Sequence, residues 1–419
     1  MLHQPDYDGY FRKKMNVTES IIRTTKSEIL DQLFLKGFSC GGSFALWRKP
    51  KSNHLEFLLD QDQNPSKVEL AFEELPAGFI VHPFADQEDK KAFFIKSSKY
   101  FSFSLDQEFL QEELPEWVKP TMDLSKKSIK SSIKQLLNQK SKSPISENEI
   151  SDDKLHFTGL VQRGIEAIES GVLEKVVPAR TKLIEIIKDF DLGKTFLEMI
   201  NSYPNSFVNF FHIPTIGTWI GASPETLIKV KEDQFFTMAL AGTQQASGEN
   251  PLKSAAWTQK EIEEQALVCR YIVDCFKKIR LREYEEHGPK TIMAGNLLHL
   301  RTDFKVDMKA TGFPQLGSVM LDLLHPTSAV CGMPRKQAHE FLKENEGFDR
   351  SFFAGFLGPV NIEGETAIFV NLRTASFKGE NAILYAGAGV TEDSDPDKEW
   401  EETELKCRII GKYIQTPSA

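Results

Sequence analysis

The stretch "YAGAGVTEDSDPDKEWEETELK", Tyr385 to Lys406, sets a small-residue turn beside a dense run of carboxylates and closes on a lysine. Read as a helix, it puts Glu399, Glu402 and Lys406 at i, i+3 and i+7, on a single stripe. Further helical steps reach Ile409 and Tyr413, so the acids sit on a line that turns toward protein. Such a row suits a divalent cation. It equally suits a Glu402–Lys406 surface pair, worth about 0.2–0.5 kcal/mol.

Three other stretches carry chemistry-bearing residues. "KEIEEQALVCRYI" places Glu264 one turn before Leu267 and Val268 and two turns before Tyr271, an acid on the shoulder of an apolar face. Two helix-borne carboxylates, with waters and substrate oxygens, would fit Mg²⁺; a helix-boundary glutamate is the plainer reading. "LEKVVPAR" sets Lys175 in an apolar, strand-like run, either snorkelling from an edge, paired with a neighbour such as Glu174, or acting as a base. An ordinary lysine costs about 4–5 kcal/mol to deprotonate at pH 7, and partial burial beside a cation lowers that cost. "GASPETLIKV" places Glu225 after a Ser-Pro turn at the mouth of a strand, where a turn carboxylate also fits.

The elements that must position these residues follow from periodicity. "VTESIIRTTKSEILDQLFLKG" has helical spacing, with Thr18 as N-cap and Gly37 as stop. Short strand-like runs fill Phe44 to Leu105, an antiparallel pattern. The Ser/Lys-rich tract Lys126–Ser143 reads as a solvated helix or linker. This divides the chain into residues 1–150, a helix plus strands ending in a polar linker, and 151–419, a catalytic domain. In the second part we expect a helix ending at Gly171, the strand of Lys175, antiparallel strands over Phe207–Leu240 and a long helix from about Leu252 to Tyr284. A strand "TIMAGNLLHLRTDFKV", short helices near Leu316–Leu324 and Arg335–Glu344, three strands from Phe352 to Val390 and a final helix from near Asp395 complete it. Strands and helices mix without strict alternation, so the class is α+β.

Composition excludes several functions. Of 419 residues, 40% are apolar and 26% charged, an ordinary globular balance. A net charge of −9 makes nucleic acid and acidic membranes poor partners. No apolar run approaches the roughly 20 residues of a membrane span, and "MLHQPDYDGYFRKK" lacks a secretory signal, so the expected location is cytoplasmic. Five scattered cysteines without a C-x-x-C pair, and only nine histidines, give zinc little support. "DLGKT" has Lys188 where a phosphate loop needs its first glycine, and "GAGVTE" ends in Glu392 without a following βαβ unit.

Taken in order, "LEKVVPAR", "SPETL", "ALAGTQ", "KEIEEQALV", "HLRTDF", "LHPTSAVCG", "NLRTA" and "YAGAGV…SDPDKEWEETELK" resemble the chorismate-utilising enzymes over about residues 155–415. That family comprises the isochorismate, anthranilate, aminodeoxychorismate and salicylate synthases. The resemblance implies large antiparallel sheets packed with helices around a central cleft, Mg²⁺ dependence and chorismate as substrate. It assigns Glu264 and Glu402 to the metal, with Glu399 close by or acting through water. Arg373 and Tyr385 resemble contacts to substrate carboxylates, completed by the backbone at Gly387–Gly389 and by Lys406; Gly242, Thr243 and His299 resemble further lining residues. Lys175 stands where anthranilate synthases resemble glutamine, and Ala241 where aminodeoxychorismate synthases place a nucleophilic lysine, so water is the expected nucleophile. Lys175 is then the base and Glu225 the acid in forming isochorismate; the alternatives are pyruvate elimination to salicylate, then an anthranilate or aminodeoxychorismate synthase component I or a non-catalytic chorismate-binding relative. No amidotransferase subunit is expected, and the resemblance implies a monomer. Pro178, Gln265 and Asp303 depart from the family's pattern.

Overall fold

The computed structural model describes residues 23–85, 91–119, 125–142, 145–146, 149–246, 248–294 and 297–415. Two large antiparallel sheets organise them. The first has eight strands, in spatial order Ala179–Glu185, Asn381–Gly387, Thr374–Lys378, Gly217–Ser223, Phe207–Ile213, Ser43–Arg48, His54–Asp60 and Lys99–Ser104. The second has nine: Glu285–Ala294, Leu297–Asp307, Gln234–Gln245, Thr226–Lys231, Glu365–Val370, Phe356–Val360, Gly78–His82, Ala92–Lys96 and Ser66–Val68. Strands from before and after residue 150 therefore share both sheets: Ser43–Arg48 pairs with Phe207–Ile213, and Gly78–His82 with Phe356–Val360. The expected division near residue 150 is not a division between sheets.

The two-residue period of a strand explains why the first sheet can be covered on both faces. Ala45 and Trp47 enter the apolar cluster between the sheets, whereas Phe44 and Leu46 face the helices outside. Phe207 and Phe211 likewise point inward, where Phe207 stacks on Phe369 of the second sheet at 4.0 Å, while Val208 and Phe210 point outward. The outer cluster is closed by the helices Lys26–Ser39, Lys126–Lys140, Leu192–Ser202 and Pro396–Ile414. Such sandwiching requires the near-continuous apolar runs seen in "SFALWR" and "FVNFFHI".

Several boundaries differ from the sequence reading. Thr18 lies outside the described residues. The first described helix starts at Lys26, capped by Thr25 in a reciprocal box with Glu28, and runs past Gly37 to Ser39. Gly37 is interior because the Phe44 ring lies 2.8 Å from where a Cβ would sit. The expected helix from Leu252 to Tyr284 is a short turn, Pro251–Ser254, followed by Gln259–Lys278; Thr258 and Glu261 form the box that starts the latter. "TIMAGNLLHLRTDFKV" contributes to two strands of a hairpin, Glu285–Ala294 and Leu297–Asp307. Four strands, not three, lie between Phe356 and Gly387. The tract at Lys126 is a docked helix rather than a linker, since Ile129, Ile133 and Leu137 form a buried stripe.

Phe210 is fully buried and meets Phe34 edge-on at 5.0 Å and Phe44 at 5.6 Å. Phe210→Ala should cost about 3–5 kcal/mol, read as a lower midpoint in urea unfolding followed by tryptophan fluorescence.

Candidate active site

Two strand-to-strand passages create the site. After Gly217–Ser223 in the first sheet, the chain crosses through Pro224 and Glu225 into Thr226–Lys231 of the second. After Glu365–Val370 it crosses back through Asn371, Leu372 and Arg373 into Thr374–Lys378. The crossings lie side by side: Val370 N–H donates to Glu225 O at 3.1 Å and Ala222 N–H to Arg373 O at 3.0 Å. Arg373 turns at φ 49°, in the left-handed region that an ordinary side chain adopts only when surrounding contacts hold it there. The strand patterns thus end where the sheets part, and Glu225 and Arg373 face the gap.

That gap is a cavity with about 690 Å³ of empty space. Every site residue expected from sequence lines it except Lys175 and Glu399. The long helix Gln259–Lys278 brings Glu264, and the final helix Pro396–Ile414, N-capped by Asp395, brings Glu402 and Lys406. Lys175 sits in a two-residue strand paired with Gly332–Met333 and is fully buried. Its ammonium donates to Glu264 Oε1 at 2.8 Å, just behind Gly389. A Cβ at position 389 would lie 2.4 Å from that same oxygen, so the glycine is what lets this pair form. The second oxygen of Glu264 accepts from Gly242 N–H at 3.1 Å.

The charges fall into two groups. Burial opposes ionisation of Glu264, but the Lys175 ammonium and its hydrogen bond override that and hold the carboxylate at about 2. Glu225 has the opposite fate: burial pushes it up to about 8, with Lys175 and Arg373 only partly opposing. Its carboxyl has no hydrogen-bond partner among the described residues, so it stays a neutral acid at pH 7. Burial, with Arg373 nearby, pushes His299 down to about 3. The neutral ring therefore donates Nδ1–H to Gly242 O at 2.8 Å and leaves Nε2 a buried acceptor without a partner. Arg373 is lowered to about 10 by burial, with Glu402 pulling the other way, and its guanidinium has no hydrogen bond or ion pair among the described residues.

Two expected roles look different in place. Tyr385 is stacked between Trp219 and Phe353, at 5.2 and 5.5 Å, and its hydroxyl is shared with Ser376 Oγ at 3.2 Å. What it offers the cavity is ring surface. Lys406 is already engaged, donating to Gly387 O at 2.7 Å and pairing with Glu402 at 2.6 Å. Gln265 faces the sheet, donating to Ala239 O and Thr302 Oγ1, and Asp303 pairs with Lys290 and Arg301; neither lines the cavity.

For a cation, Glu264 and Glu402 are the candidates, since no cluster of three His, Cys, Asp or Glu side chains occurs among the described residues. Glu399 is ion-paired with Lys260 through one oxygen and has Ser394 nearby, while its other oxygen is buried without a hydrogen bond of good geometry among the described residues. Burial and the neighbouring Glu402 charge push the Glu399 pKa up. An orphaned carboxylate oxygen beside crowded negative charge, with hard oxygen donors facing an open cavity, fits Mg²⁺, which needs only one or two protein carboxylates. Sequence reading missed Lys260 and the buried Glu346–Arg350 pair behind the cavity, although both Lys260–Glu264 and Glu346–Arg350 have i,i+4 spacing.

The chain is similar to several known proteins. Isochorismate synthase EntC of Escherichia coli (strain K12) is 28% identical over 275 residues, 64% of this chain and 68% of that protein. Isochorismate synthase DhbC of Bacillus subtilis (strain 168) is 30% identical over 269 residues, 60% of this chain and 65% of that protein. The fold is that of MenF, the menaquinone-specific isochorismate synthase from Escherichia coli, with a TM-score of 0.69 over 94% of each chain at 19% identity. Residues 96–415 match the family described as "Chorismate binding enzyme", and the chain belongs to that family.

Proposed function

We propose that the chain is an isochorismate synthase, adding water at C2 of chorismate with loss of the C4 hydroxyl. The observation that carries the reading is Glu225, a buried carboxyl that burial pushes up to about 8, facing the same cavity as Glu264, which Lys175 pairs from behind. Relatives with this activity support it. Ala241 lines the cavity, so the position at which aminodeoxychorismate synthases place a nucleophilic lysine carries no amine to compete with water.

The chemistry follows from the two groups. Lys175, as the free amine, takes a proton from water as the oxygen bonds to C2. Both ring double bonds shift by one position, the C4–O bond breaks, and Glu225 gives its proton to the departing hydroxide, which leaves as water. Water in and water out makes the reaction an isomerisation. Arg373, with no counter-charge in contact among the described residues, is the site for a substrate carboxylate. His299 Nε2 is the acceptor for a substrate hydroxyl or the attacking water. Mg²⁺ would be held by Glu264 and Glu402, with Glu399 supporting. When bound, it would supply positive charge for the second substrate carboxylate.

Incubation with chorismate and Mg²⁺, followed by chromatography, should yield isochorismate, with no pyruvate detected by lactate dehydrogenase coupling. Lys175→Ala and Glu225→Gln should each lower kcat at least about 1,000-fold while Mg²⁺-dependent chorismate binding persists; full activity in either rejects the assignment. The pH dependence has a definite sign. Glu225 is active protonated, so kcat/KM should fall as pH rises through about 8. A profile that is flat between pH 7 and 9 would contradict its role.

A further inference from the structure

The strand that carries Lys175 is short, and its neighbour in sequence, Pro178, has no N–H to give. On one side the pairing runs on past Pro178, from Val176 with Val390 through Ala388 N–H to Pro178 O at 3.1 Å and into Ala179 with Gly387; on the other side it stops after Val177 N–H bonds to Cys331 O at 2.9 Å. Ladder bonding is therefore lost on one side of the chain, next to the segment that holds the proposed base. Two side chains fill the interruption. Arg350 Nη2 donates to Val177 O at 2.6 Å, and Ala179 N–H donates to Glu346 Oε1 at 2.7 Å, so the pair straddles Pro178.

The pair is itself locked. Arg350 donates to both oxygens of Glu346, at 2.7 and 2.6 Å, and its Nη1 donates to Val330 O at 2.8 Å. The rings of Phe84 and Phe353 lie 4.2 and 5.9 Å from the guanidinium carbon. Both side chains are nearly inaccessible, 3% and 5% exposed. Arg350 borders the catalytic cavity, which would make it an obvious ligand for an anionic substrate. Its hydrogen bonds point elsewhere: four of its five N–H groups are already committed to Glu346, Val177 and Val330. Arg373, by contrast, is uncommitted.

We infer that Glu346 and Arg350 are positioning residues: they fix the peptide groups on either side of Pro178 and thereby hold Lys175 in register. The inference rests on Lys175 being the base. A lysine displaced by about 1 Å loses on the order of 100-fold in rate, with little change in substrate affinity, because Arg373 and the metal carboxylates are untouched.

Steady-state kinetics of Arg350→Lys and Glu346→Met test it, alongside a double variant, Glu346→Gln/Arg350→Met, which removes both buried charges and so tolerates folding better than either single loss. Each should lower kcat about 100-fold, with the KM for chorismate within about threefold of the parent and, for the double variant, a near-parental melting temperature. Glu346→Gln alone keeps an oxygen for Ala179 N–H and should recover part of the kcat lost in Glu346→Met. A raised KM with kcat retained would make Arg350 a substrate ligand and overturn the inference. A folded double variant with parental kcat would overturn it as well. Lys175→Ala, assayed in parallel, separates the two levels: full activity there sinks the assignment of the base. An inactive Lys175→Ala beside an unaffected Arg350→Lys sinks the positioning role alone.

Discussion

The Lys175–Glu264 ion pair is the interaction on which the site depends. It joins a fully buried lysine to a carboxylate on the cavity wall, so that one contact governs both the proposed base and the proposed anchor for a cation. Burying either group alone would be prohibitive, and each is stable only because the other is present. The same pair explains the glycine turn at Gly387–Gly389, because any larger residue at 389 would occupy the space of the Glu264 oxygen. It also sets a contrast with Glu225. Lacking a contacting cation, that carboxyl responds to burial by keeping its proton.

The architecture supplies these two electrostatic environments by parting its sheets. Where the sheets stay in contact, aromatic residues such as Phe207 and Phe369 close the gap. Where the chain crosses between them, at Pro224–Glu225 and Asn371–Arg373, the inward-facing positions become polar and the gap opens. Function therefore sits on the irregular links, while the regular strands hold those links in place. The strands before residue 150 help to fix both sheets, which makes them part of the scaffold of the same site.

How much of this could be read from the chain depended on whether the signal was local. The stripe Glu399–Glu402–Lys406 was legible because helical spacing projects it, and the order of motifs from Lys175 to Lys406 drew the site residues together. The start of the long helix was misjudged because the Thr258–Glu261 box was passed over, although its spacing is the usual signature. The two-layer sharing of strands was not legible, since pairing between Ser43–Arg48 and Phe207–Ile213 spans a separation that no local pattern encodes. Partner choice was equally hidden. Tyr385 commits its hydroxyl to Ser376, Lys406 is taken up by Glu402 and Gly387, and Arg350 binds the backbone around Pro178; each depends on neighbours brought close only by the fold.

The central claim is that Glu264 and Glu402, from two different helices, share one divalent cation that seats the substrate. Titration with Mn²⁺, followed by electron paramagnetic resonance in the presence of chorismate, tests it most directly. The account predicts one tightly bound ion per chain in the parent protein, and loss of that ion in both Glu264→Gln and Glu402→Gln. Binding of Mn²⁺ at parental affinity in either variant would contradict it.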